Sequence, residues 1–172
     1  MANASTKRLI ALFLACSSVA SLAQSQWTPF SDAKGRFSVL LPGKPTQTAE
    51  TPPTFNVSTP SAIYVISYTD GHEGADWAQT VNSERDVTIQ GLNGKLIREK
   101  EISLGDFRGK SVTFDGSLPS GPFSGPATGQ MRIYFNGHRF YMLIGLAPKA
   151  AKPEGITKFL DSFQILPASK SP

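Results

Sequence analysis

The alternation of apolar and polar positions changes character several times along this chain, and the changes mark its elements. Phe37, Val39 and Leu41 share one side of a run that Gly35-Arg36 opens and Pro42-Gly43 closes. A period of two between turn residues predicts a strand covered mainly on one side. Ala62 to Tyr68 predicts a second strand. Ile63 and Val65 face one way and Tyr64, Ile66 and Tyr68 the other, so both faces are apolar and the strand belongs inside a sheet. Between them, Pro45 to Pro53 is polar and carries prolines, which predicts a loop or an irregular edge. The stretch before the first strand, Gln24 to Gly35, reads as a lead-in whose Trp27 and Phe30 pack on the domain.

The period then lengthens. Trp77, Val81, Thr88 and Leu92 fall on one helical stripe, with Ala78 and Ile89 beside it and Arg85 within it. Asp76 precedes the stripe as a cap and Gln79 stands three residues on, as in a capping box. Gly91 and Asn93-Gly94 supply the stop. An arginine inside an apolar stripe predicts a structural ion pair rather than a ligand contact.

From Lys95 the period returns to two and predicts an antiparallel meander. A charged strand, Lys95 to Leu104, turns at Gly105-Asp106 into a strand over Gly109 to Asp115, with Val112 and Phe114 inward. Leu118 to Gly129 is rich in Gly and Pro and reads as a long loop. Gly129 to Phe135 and His138 to Leu146 flank Asn136-Gly137, the pair favoured in a type I′ turn because both central residues need positive φ. That turn sets Phe135 opposite His138, Ile133 opposite Phe140 and Met131 opposite Met142. On the other face Tyr134 meets Arg139 and Arg132 meets Tyr141, placing guanidinium groups beside phenol rings. A short helix from about Pro153 closes the pattern, with Ile156, Phe159, Leu160 and Phe163 at helical spacing. The order β-β, α, four β, α describes an α+β fold, an antiparallel β-sheet flanked by helices.

Composition changes this picture mainly at the N-terminus. Lys7-Arg8, the apolar run from Leu9 towards Leu22, and small residues Ser21 and Ala23 make a secretory signal peptide over residues 1–23, cut before Gln24. The expected organisation is that signal, one domain over residues 24–166, and a disordered tail over 167–172. The formal charge of the 172-residue chain is +4, and removal of Lys7 and Arg8 halves it. A weak balance without a basic block excludes nucleic acid as a partner. The single cysteine, Cys16, lies in the signal. Cleavage after Ala23 therefore leaves no thiol and no disulfide. The alternative is lipidation, because Phe13-Leu14-Ala15-Cys16 is a degenerate lipobox; the protein would then be membrane-anchored through Cys16.

Motifs for chemistry are sparse. The densest polar cluster joins a strand to a helix and holds Asp70, His72, Glu73 and Asp76. A hard cation could use its carboxylates and zinc could use His72, although the spacing matches no known metal loop and Asp76 serves as the cap. Only His72 and His138 could activate a serine, and there is no Gly-x-Ser-x-Gly. Ser120 to Gly129 lacks the Gly-Lys-Ser/Thr ending of a phosphate loop; its Phe123 makes it a candidate lid. The face carrying Arg132, Tyr134, Arg139 and Tyr141 is a candidate interaction patch, unless a helix covers it.

Phe30-x4-Gly35-Arg36-Phe37-Ser38-Val39-x2-Pro42-Gly43-x-Pro45 resembles the opening of small exported bacterial proteins with a PsbP-like or DcrB-like domain. Tyr64-x3-Tyr68-x-Asp70, Arg132-x-Tyr134-x2-Gly137-x-Arg139-x-Tyr141 and Phe159-Leu160-x-Ser162-Phe163 fit the later elements. The resemblance spans Trp27 to Leu166 and implies an α-β-α sandwich, with no catalytic, metal or cofactor residue carried over. The functional expectation is an exported, non-enzymatic binding or accessory protein, periplasmic or secreted. Its partner would be a protein or small ligand of the cell envelope, with membrane contact only through a lipidated Cys16. The alternatives are a lipid-anchored accessory of a membrane machine, and a metal binder or enzyme using the Asp70–Asp76 loop.

Overall fold

The computed structural model of the chain describes residues 26–71, 73–151 and 154–167. The signal segment, Cys16, His72 and residues 168–172 lie outside the described residues.

Among the described residues, ten strands and two helices form an α+β fold built on antiparallel pairing. The larger sheet contains β3 (Thr46–Glu50), β4 (Pro53–Ser58), β5 (Ile63–Asp70), β9 (Arg139–Pro148), β8 (Gly125–Phe135), β7 (Phe107–Leu118) and β6 (Lys95–Leu104), in that spatial order. The smaller sheet pairs β2 (Phe37–Leu41) with β1 (Thr28–Asp32) on one edge and with β10 (Gln164–Ile165) on the other. α1 (Trp77–Gly91) packs on one face of the large sheet; α2 (Glu154–Asp161) and the small sheet cover the other.

Each face therefore has its own core. Phe37, Val39 and Leu41 of β2, with Ile156, Phe159, Leu160 and Phe163 from α2 and the residues after it, pack on Tyr64, Ile66, Tyr141 and Leu143. On the opposite face Val81 and Ile89 of α1 pack on Val112, Phe114, Met131, Ile133, Phe140 and Met142. Apolar groups on both sides of the central strands are what a sheet between two covering layers requires. The cap of α1 is the one expected, since Asp76 Oδ1 accepts from the Gln79 amide at 2.7 Å. The helix stops where Asn93 takes φ +48° and Gly94 donates back to the Ile89 carbonyl at 2.8 Å.

Three expectations are corrected. The lead-in contains a strand, β1, whose Thr28–Asp32 pairs along the whole of β2. Pro45 to Pro53 takes the second of its two expected forms, an irregular edge: β3 is an edge strand with a register shift between Gln47 and Ala49, and β4 follows from Pro53. The long loop over Leu118 to Gly129 shortens to residues 119–124, because β7 continues to Leu118 and β8 begins at Gly125. Gly129 is there for close approach rather than turning: a Cβ on it would stand 2.2 Å from the Phe114 ring. Lastly, the Asn136-Gly137 hairpin is not a two-residue I′ turn. Only Gly137 has positive φ (+90°), and Asn136 Oδ1 accepts from the His138 and Arg139 amides at 3.1 and 2.9 Å. The turn moves one residue along, to Gly137-His138, with the Asn136 amide donating to the Arg139 carbonyl at 3.3 Å, and Phe135 pairs with Phe140, Tyr134 with Tyr141 and Ile133 with Met142.

Candidate functional site

The polar loop and the basic-aromatic face resolve into structural contacts. Asp70 is held by Arg139, whose Nε and Nη2 donate to its two carboxylate oxygens at 2.5 Å each. That pairing is the main cause raising the Arg139 pKa above its ordinary value. Glu73 lies 3.7 Å from His138 Nδ1 on the surface, and Asp76 caps α1. Among the described residues no three His, Cys, Asp or Glu side chains converge on a point.

Arg132, Tyr134, Arg139 and Tyr141 do not form an exposed patch, which corrects the sequence-based reading. Tyr134 stacks on Phe163 at 5.7 Å, and Tyr141 is fully buried with its hydroxyl donating to the Gly35 carbonyl at 2.6 Å. Burial pushes both phenols above the ordinary range. Arg132 donates to the Leu160 carbonyl and pairs with Asp161, fastening α2 to the sheet. Arg139 lies 5.4 Å from the Tyr68 ring and donates to the Lys34 carbonyl. These arginines hold the covering layer down, and the cross-strand Arg–Tyr pairs expected from the type I′ register are absent. Phe123 is packed against the second core and is no lid.

Arg85 makes the expected ion pair, within a larger network. It donates to Asp86 at 2.7 Å and to Glu99 at 2.5 Å, while Lys110 donates to Glu99 and to the Asn82 side chain at 2.7 Å each. Burial raises the Glu99 pKa, but hydrogen bonds from Lys110 and Arg85 outweigh it and hold the carboxyl below its usual range. The network ties α1 to β6 and β7.

The feature left unspent is a groove of about 540 Å³ between the β6–β7 turn and the junction of β2 with β10. A volume in this range accommodates a small ligand. Its apolar surface comes from Leu104 and Phe107 flanking the turn, and from Ile165 and Leu166. Phe107 is itself seated on Tyr141, with ring centroids 5.4 Å apart. Around this surface stand Arg36, Asp106 and Gln164. The Leu166 amide donates to the Arg36 carbonyl at 2.7 Å and fixes the two walls together.

Arg36 is unusual in two respects. Its backbone sits at φ +54°, a left-handed conformation that costs a side-chain-bearing residue on the order of 1–2 kcal/mol. The glycine beside it cannot be exchanged with it, because a Cβ at Gly35 would stand 2.7 Å from the Phe37 and Tyr68 rings. The Arg36 side chain is also exposed and has no ion pair or hydrogen bond among the described residues. Sequence reasoning treated Gly35-Arg36 and Gly105-Asp106 as turn residues only. The groove joins three distant segments, so no linear pattern announces it; the one local signal was an arginine where a turn favours glycine.

No protein-family model matches the chain, and no curated protein sequence matches it. Solved structures do. The solution structure of cyanobacterial PsbP (CyanoP) from Synechocystis sp. PCC 6803 superposes with a TM-score of 0.61 at 8% identity, covering 87% of this chain and 98% of that one. A crystal structure from Bacteroides thetaiotaomicron VPI-5482 superposes with a TM-score of 0.56 at 13% identity over 87% of this chain; the match spans about half (52%) of that longer chain. At such identities the likeness is one of fold, and the fold is PsbP-like.

Proposed function

We propose that this chain is an exported, non-catalytic binding protein of the bacterial cell envelope, and that its ligand sits in the Arg36–Phe107–Leu166 groove. The observation that carries the binding reading is the groove itself, an apolar recess with an exposed arginine that no described group neutralises. Elsewhere the charged side chains best suited to chemistry are already engaged: Asp70 with Arg139, Glu99 with Lys110 and Arg85, Asp76 with the helix amide it caps. The export reading rests on Lys7-Arg8, the apolar run that follows, and Ala23.

The test is expression of the full-length chain in a bacterial host, followed by fractionation and mass spectrometry of its N-terminus. The expected product lies outside the cytoplasm and begins at Gln24. A diacylated Cys16 would instead make the binding protein a tethered one, and an intact Met1 in the cytoplasm would contradict export. The same material is expected to leave ester, phosphate and peptide substrates unchanged. Hydrolysis abolished by a single substitution would overturn the non-catalytic reading.

A further inference from the structure

We infer that the groove recognises a short apolar peptide with free termini, its carboxylate on Arg36 and its ammonium group on Asp106. This rests on the reading of the groove as the binding site and names its ligand class. One cation, Arg36, and one anion, Asp106, both exposed, border the same apolar surface, and neither forms a salt bridge among the described residues. A ligand that matches both must carry both charges, on an apolar body that suits Leu104, Phe107 and Leu166.

Competing chemistries fit less well. A phosphate or other polyanion would meet the Asp106 carboxylate, and a simple amine would meet the Arg36 guanidinium. A fatty carboxylate would engage Arg36 alone, whereas a zwitterion engages the exposed Asp106 carboxylate as well. Arg36 also suits a carboxylate in geometry, since a guanidinium binds it through two parallel hydrogen bonds.

The backbone supplies an independent observation. Arg36 occupies φ +54°, where glycine or asparagine is the comfortable residue. Strain of this kind collects at ligand sites, where the side chain has work that offsets it. The position also makes the test clean, because Arg36→Gly removes the cation while relieving the backbone.

The experiment is calorimetric titration of the mature chain with trileucine, its N-acetyl form, its C-terminal amide and the doubly blocked peptide. Trileucine is expected to bind, and each single block is expected to weaken it by about tenfold or more, the scale of a lost charged hydrogen bond. Arg36→Gly should erase the difference between free acid and amide, and Asp106→Asn the difference between amine and acetyl. Equal binding of free and doubly blocked peptides, abolished by Phe107→Ala, would overturn the zwitterion and leave the groove as a binding site. No binding of any of these peptides by a folded chain would overturn the peptide class; binding of trileucine that Phe107→Ala leaves unchanged would overturn the groove reading.

Discussion

Single residues carry unequal weight in this fold, and the differences can be measured. Gly129 faces Phe114 so closely that a methyl group has no room. Gly129→Ala is expected to destabilise the fold by about 1–3 kcal/mol through overpacking, read as a lower urea midpoint. Arg36→Gly should do the reverse or nothing. The relieved left-handed strain and the greater freedom of the unfolded glycine nearly cancel, leaving stability within about 1 kcal/mol. Glu99 makes a pH-dependent contribution. Its carboxyl titrates lower in the folded chain than in the unfolded one, so its stabilisation is present above the unfolded pKa and is lost as pH falls through the folded one. Glu99→Gln is therefore expected to lower stability at pH 7 and to lose less than the parent on acidification below about pH 4.3, a comparison that denaturation series at several pH values make directly. Of these residues only Glu99's partner Arg85 was legible beforehand, because a charge inside an apolar stripe demands a counter-charge. The crowding at Gly129 was not, since in sequence a glycine kept for space looks like one kept for a turn.

At the scale of elements, legibility followed the contrast between the two faces. β2 and α2 carry unbroken apolar periods, and their buried positions are the ones expected: Phe37, Val39 and Leu41; Ile156, Phe159 and Leu160. The stripe of α1, interrupted by Arg85 and Thr88, buries only Val81, with Ile89 beside it, and leaves Trp77, Thr88 and Leu92 half-buried. β1 and β3 have mostly exposed side chains, so their pairing comes from backbone hydrogen bonds that leave no apolar trace. The β8–β9 hairpin shows a subtler limit. The turn composition located the reversal, and the Asn136 side chain, accepting from the His138 and Arg139 amides, goes with a turn centred one residue later, on Gly137-His138. The pairing moved by two residues, an even shift, which preserved the assignment of every side chain to its face. That is why Ile133 and Met131 were placed in a core correctly while their partners were not. The helix that closes one face is the element most exposed to mutation. Phe159 is fully buried and meets Tyr64 edge-on at 5.4 Å. Phe159→Ala is expected to cost about 3–5 kcal/mol, measured as loss of the cooperative transition or a large drop in its midpoint.

As a whole the molecule is a sheet covered on both faces, with its charged residues used to fasten the covers. Arg132 and Arg139 anchor the layer over one face, and the Arg85–Glu99–Lys110 network anchors α1 on the other. This explains why a candidate interaction face became an internal one. No helix among the described residues is long and apolar enough to cross a membrane. The recess bordered by Arg36 and Asp106 sets unpaired charge beside apolar surface, and it sits at the meeting of the two sheets with the β6–β7 turn. The central claim is that this recess is the binding site. It is tested most directly by two-dimensional amide NMR of the mature chain titrated with trileucine, alongside Arg36→Gly. The account predicts shifts concentrated at Leu104 to Phe107 and at Gln164 to Leu166 in the parent and strongly reduced in the variant. Shifts confined to another surface, or unchanged by Arg36→Gly, would contradict it.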